Sequence, residues 1–171
     1  MRDRELAHPV TRTRSSIVDG LRDWAPAILW AAMIFYASTD AFSSQNTGRV
    51  LTAILQWLVP AISREQVDLV NFAARKCAHF VEYFILYLFV HRGVAAGRTD
   101  WRGSRATIAW LIVVAYSLLD EFHQSFVATR TGSPWDSLLD AAGGIVGMLA
   151  VFLWMRWRAL GTRRARAESD R

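Results

Sequence analysis

Three short stretches place ionisable side chains inside otherwise apolar sequence: RKCAHFVEYF from Arg75, YSLLDEFHQSF from Tyr116, and SPWDSLLDAAGGIVG from Ser133. Glu82, Asp120, Glu121 and His123 are the groups whose types suit general acid and base work, with proton affinities split by burial and mutual repulsion. Lys76 and Arg130 suit the capture of a phosphate or another anion. His79, Tyr83, Gln124, Asp136 and Asp140 supply further polar groups that could bind a substrate. No serine or cysteine stands where a nucleophile would be activated, so an enzyme built on these residues would activate water.

Helical spacing gives each stretch one face. His79 is three residues from Lys76 and from Glu82, and four from Tyr83. Tyr116, Asp120, His123, Gln124 and Val127 share a stripe, as do Asp136, Asp140, Gly143 and Gly147. Gly143 and Gly147 are expected to let the last helix approach a neighbour closely. Glu121 lies off its helix's stripe, facing a neighbour that supplies a cation. His79-x-x-Glu82 and Asp120-x-x-His123 each place two ligand types one turn apart, a spacing that metal-binding helix bundles use. Nearby cations oppose a divalent metal there, and no cofactor is expected.

The elements that position these residues follow from composition. The chain has 171 residues and suits one domain. Just over half of it is hydrophobic, and eight residues are Trp. Apolar runs alternate with arginine clusters, which favours an all-α membrane protein over a soluble core. Four spans are expected: about 24–38, 75–91, 106–126 and 135–155. The net charge of +5 raises nucleic acid as a partner, but the arginines lie between apolar runs and read as topology signals. Segments 1–23, 92–105 and 156–171 hold five, four and six Arg, which places both termini and the 92–105 loop in the cytoplasm. The expected domains are an arginine-rich segment 1–23, a four-span domain 24–158 and a basic tail 159–171. The tail reads as disordered, and residues 17–21 read as a surface helix. No secretory signal is expected. The single cysteine, Cys77, excludes an internal disulfide.

In the first outer loop, Val50 to Ile62 is apolar but too short to span, so an interfacial helix is expected. Ser63 with Gln66 reads as a capping box that opens the second span. With this topology the polar ends of the second, third and fourth spans converge on the extracytoplasmic side. Length sharpens the point. Only 14 uncharged residues separate Arg105 from Asp120, and 15 separate Asp140 from Arg156. A span needs about 20 residues, so the turns carrying Glu82, Asp120 and Asp140 dip below the headgroups.

These residues resemble the VanZ-like family of small bacterial membrane proteins. The pattern Lys-x-x-His-x-x-Glu-Tyr falls on Lys76, His79, Glu82 and Tyr83. Asp-Glu-x-x-Gln-x-Phe with a downstream Arg falls on Asp120, Glu121, Gln124, Phe126 and Arg130. Asp136 and Asp140 precede the glycines, with Asp140 at a position the family often fills with Asn. The resemblance spans about residues 28 to 155. It implies an envelope membrane protein that affects sensitivity to the glycopeptide teicoplanin, and it brings no reaction with it.

Three functional classes therefore stand: an envelope enzyme acting on a lipid or lipid-linked component, a non-catalytic envelope-binding factor, and, least supported, a transporter. The bilayer is the expected partner, nucleic acid is not, and the oligomeric state is open. Against all three stands a structural reading, in which the charges form a salt-bridge network that locks the helices. Asp136 has a local reading as a helix N-terminal residue after Ser133. Arg75 reads as snorkelling to the interface. Tyr83 and Tyr116 read as interfacial aromatics.

Overall fold

The computed structural model describes residues 17–39, 44–127 and 133–169. The described residues form five α-helices, as an all-α chain should: α1 Ile17–Ala37, α2 Ser44–Leu58, α3 Arg64–Ala95, α4 Gly103–Gln124 and α5 Pro134–Ser169. The third of these, α3, touches each of the other four.

Local sequence explains the helix ends. Ser63 accepts the Gln66 N–H at 3.2 Å, and the Gln66 side chain accepts the Ser63 N–H at 3.0 Å, completing the expected capping box of α3. That helix stops at Ala96, whose left-handed φ of 49° is followed by Gly97 at 75°. Pro134 opens α5, where its missing N–H costs nothing.

Three boundaries differ from expectation. The surface helix at residues 17–21 is the first turn of α1, which runs unbroken into the first apolar segment. The interfacial helix begins at Ser44 and ends at Leu58, two residues before Pro60. The tail is helical through Ser169, because Ala, Arg and Glu are strong helix formers and no proline interrupts them.

Of the four expected spans, two pass the test of length and composition. Only α4 and the Pro134–Thr162 part of α5 are, among the described residues, long and apolar enough to cross a membrane by length and composition. The first helix carries Asp19, Arg22 and Asp23 in its opening turns, and α3 carries the polar residues of the site itself.

Contacts fix the helix directions. Lys76 meets Asp136, His79 meets Asp140, and Gly147 lies on Phe84 and Tyr87, so α3 and α5 run parallel. Tyr83 meets Asp120 and Tyr87 meets Ala106, so α3 and α4 run antiparallel. Tyr116 donates to the Ala31 carbonyl at 2.6 Å, and Gln124 to Ser38 at 3.3 Å, so α1 runs with α4. This is an up-down-up-down bundle of α1, α3, α4 and α5. The short α2 lies against α3, with Asn71 donating to Thr52.

Polarity in this bundle is inverted. Its centre buries Tyr83, Leu86, Tyr87, Ala109 and Val113, but also Ser117, Asp120, Gln124 and Asp140. Its outer surface exposes Leu29, Phe35, Leu111, Leu119, Leu149 and Trp157. At one end Trp24 packs on Gly93 and Trp101 meets Phe152 edge-on. At the other, Trp57 and Trp135 are exposed.

Candidate functional site

Close packing of α5 on α3 sets the site's geometry. A Cβ on Gly143 would sit 2.4 Å from the Phe80 carbonyl oxygen, and one on Gly147 would sit 3.0 Å from that of Phe84. Backbone contact at this range is open only to glycine. Gly144, beside them, faces α4 instead, where a Cβ would lie 3.2 Å from the Trp110 ring. The Trp110 indole N–H donates to the Ala141 carbonyl at 3.1 Å and ties α4 to α5.

One turn and two turns before the glycines, α5 presents Asp140 and Asp136. Asp140 is fully buried: its Oδ2 accepts from Ser117 Oγ at 2.8 Å, and its Oδ1 lies 3.3 Å from His79 Nδ1. Asp136 forms an ion pair with Lys76, whose side chain remains about a quarter exposed. The lysine therefore stands at the rim and the His79–Asp140 pair lies deeper.

The second acidic pair comes from α4. Asp120, 3% exposed, accepts on Oδ2 from Tyr83 OH at 3.3 Å and from Gln124 Nε2 at 3.0 Å. Glu121 is also buried, and its Oε2 accepts the backbone N–H of Ser133 at 2.6 Å. The neighbour it faces among the described residues is an imidazole, not a lysine or arginine. Its carboxylate lies with His79 and Asp140, one ligand atom from each standing within 4.8 Å of the others. Four polar atoms are buried without a hydrogen-bond partner among the described residues: Asp120 Oδ1, Glu121 Oε1, His123 Nδ1 and Ser137 Oγ.

The sequence-predicted residues are thus mostly drawn together, with differences of detail. Lys76, His79, Tyr83, Asp120, Glu121, Gln124, Asp136 and Asp140 form linked contacts across three helices. Gln124 also reaches α1, through Ser38. The His123 ring turns from that cluster onto Phe35, with centroids 4.4 Å apart. Glu82 is half-buried, and its backbone carbonyl accepts the Trp30 indole N–H at 2.9 Å. Arg130 lies outside the described residues. Three participants escaped the sequence reading: Ser38, Ser117 and the Ser133 N–H. Ser117 had a signal, since it stands three residues before Asp120 and seven before Gln124, on the same helical face.

The family model described as VanZ/LLP1 matches residues 24–155. No curated protein and no solved structure matches the chain.

Proposed function

This chain belongs to the VanZ/LLP1 family, and on that premise we propose that it is a multi-pass protein of the bacterial cytoplasmic membrane. Its polar pocket opens to the extracytoplasmic side and takes the anionic headgroup of an envelope lipid or lipid-linked component. Occupation of that pocket alters glycopeptide sensitivity, teicoplanin included.

The inverted polarity carries this reading. Asp140 is fully buried while Leu29 is 70% and Leu119 64% exposed. Lipid is the solvent that such a surface suits, and intramembrane carboxylates are retained where they face a cavity or a partner. The arginine distribution favours both termini inside, which requires an even number of crossings. The amphipathic α2 lies along the outer interface, with Val50, Ile54, Trp57 and Leu58 exposed on one stripe.

Within the pocket, Lys76 at the rim meets the headgroup anion. Glu82, Asp120, Glu121 and His123 supply the acid–base groups if the bound component is also transformed. A purely structural salt-bridge network is the competing reading. Against it stand Asp120 Oδ1, Glu121 Oε1 and His123 Nδ1, which have no hydrogen-bond partner among the described residues, because a buried network kept for stability alone satisfies its polar atoms.

The test expresses Lys76→Met, Glu82→Gln and Asp120→Asn variants in a teicoplanin-sensitive host at matched membrane levels. Susceptibility is measured beside binding to vesicles doped with polyprenyl phosphate. The expected outcome is loss of both the susceptibility change and vesicle binding with Lys76→Met. Full retention by all three inserted variants overturns the reading. Retained binding with a lost susceptibility change in Glu82→Gln and Asp120→Asn assigns catalysis to those carboxylates.

A further inference from the structure

We propose that His79, Glu121 and Asp140 form a binding site for one divalent transition-series cation, Zn²⁺ or Mn²⁺, at the junction of α3, α4 and α5. The three residues are 6%, 8% and 0% exposed, and each comes from a different helix. Their ligand atoms already lie within 4.8 Å of one another. The set differs from the one-turn pairs visible in the sequence, since it takes Glu121 rather than Glu82 and leaves His123 out.

The spacing of the pair also fits a shared cation. His79 Nδ1 and Asp140 Oδ1 are 3.3 Å apart. A charge-assisted N–H···O bond closes to about 2.7–2.9 Å. Two ligands on tetrahedral zinc at about 2.0–2.1 Å stand roughly 3.4 Å from each other. The pair is thus spaced as ligands are.

The carboxylates are also held as ligands are. Asp140 gives Oδ2 to the Ser117 hydroxyl, and Glu121 gives Oε2 to the Ser133 N–H. One oxygen of each is fixed from outside, which orients the other. On Asp140 that other oxygen is the one facing His79. On Glu121 it is Oε1, buried and without a hydrogen-bond partner among the described residues.

Charge points the same way. Lys76, the chain's only lysine, is engaged by Asp136. Asp120 is held by a phenol and a carboxamide, both neutral donors. Three deeply buried carboxylates, Asp120, Glu121 and Asp140, therefore share one imidazole among the described partners. Uncompensated buried carboxylates are expensive, and a divalent ion offsets two of the charges. One nitrogen and two carboxylate oxygens suit zinc or manganese better than calcium or magnesium, which favour all-oxygen shells. Three protein ligands leave a coordination position for a water or a substrate oxygen.

The site stands on its own geometry, whatever component the pocket takes. Full-length protein is purified in detergent, stripped with chelator, titrated with Zn²⁺ and Mn²⁺, and its metal content measured. The expected result is uptake of about one ion per chain, weakened at least about tenfold by His79→Gln, Glu121→Gln or Asp140→Asn. His91→Gln, at the far end of α3, retains it. Cobalt-loaded wild-type protein should show the intense visible bands of a low-symmetry site, a readout that needs no variant to fold. No uptake by wild-type protein, or uptake equal in wild type and all three variants, overturns the proposal. If metal is absent while Asp120→Asn still abolishes the teicoplanin effect, the cation site fails and the functional reading stands.

Discussion

The imidazole of His79 lies 3.3 Å from the carboxylate of Asp140, a residue 61 positions later in the chain and on another helix. That contact joins the two polar stretches which sequence alone could only place at the same end of the bundle. Around it, Ser117, Glu121 and the Lys76–Asp136 pair complete a site that no single helix contains.

The Lys76–Asp136 ion pair separates structure from function. Lys76→Met alone leaves Asp136 nearly buried without its cation. The expected loss is about 2 kcal/mol, below the cost of breaking a fully buried pair because the lysine keeps part of its hydration. Lys76→Met combined with Asp136→Leu restores thermal stability in detergent but not the susceptibility phenotype. Recovery of both by the double variant would make the pair structural only.

Packing of α5 on α3 is sensitive to a single methyl group. Gly143→Ala puts a Cβ against the Phe80 carbonyl oxygen, a backbone atom that cannot rotate away. The helices must part, at an expected cost of about 1–3 kcal/mol. Gly161→Ala, with nothing within 4 Å, leaves stability unchanged or raises it by up to about 1 kcal/mol. Equal melting temperatures for the two variants would contradict the contact.

Cys77 reports topology without engineering. It is exposed, and in the proposed orientation it lies near the outer end of α3. A membrane-impermeant maleimide added to intact spheroplasts should label it. A Cys77→Ser, Ser169→Cys variant should label only after permeabilisation. The opposite pattern would invert the orientation and place the polar pocket on the cytoplasmic side.

At the other end of the bundle, Asp100 gives a pH prediction. Hydrogen bonds from Arg105 and then Arg102 hold its carboxyl down to about 2, below the ordinary aspartate value of 3.8. A depressed folded-state value contributes stability that is complete above pH 3.8 and is lost as pH falls through about 2. The segment joining α3 to α4 should resist proteolysis unchanged from neutral pH to about pH 4, then open below it. Asp100→Asn should remove this step. An unchanged acid transition in that variant would assign it to other groups.

Some of this was legible in sequence because helical periodicity is local. The capping box at Ser63 and the stripe of Asp136, Asp140, Gly143 and Gly147 needed only spacing along one helix. What pairs with what was less accessible, since partners depend on how helices rotate against each other. Glu121 is the clearest case. Its angle from Asp120 was readable, but its place beside His79 and Asp140 came from α3–α5 packing. Ser38 and Ser117 escaped for a different reason, as small hydroxyls signal little until a carboxylate or carboxamide is set opposite them. Helix ends were misjudged where propensity carried a helix past its apolar segment, as in residues 159–169.

The glycine contact between α3 and α5 also acts as a registration mark. The two parallel helices are matched at successive levels: Lys76 with Asp136, His79 with Asp140, Phe80 with Gly143, and Phe84 with Gly147. A slip of one residue shifts one helix about 1.5 Å along the other. It would also drive a side-chain-bearing position onto a carbonyl oxygen. Sliding is therefore blocked at the level of the backbone. Any opening of the pocket has to come from helices that tilt about this fixed point, as the two blades of a pair of shears turn on a rivet.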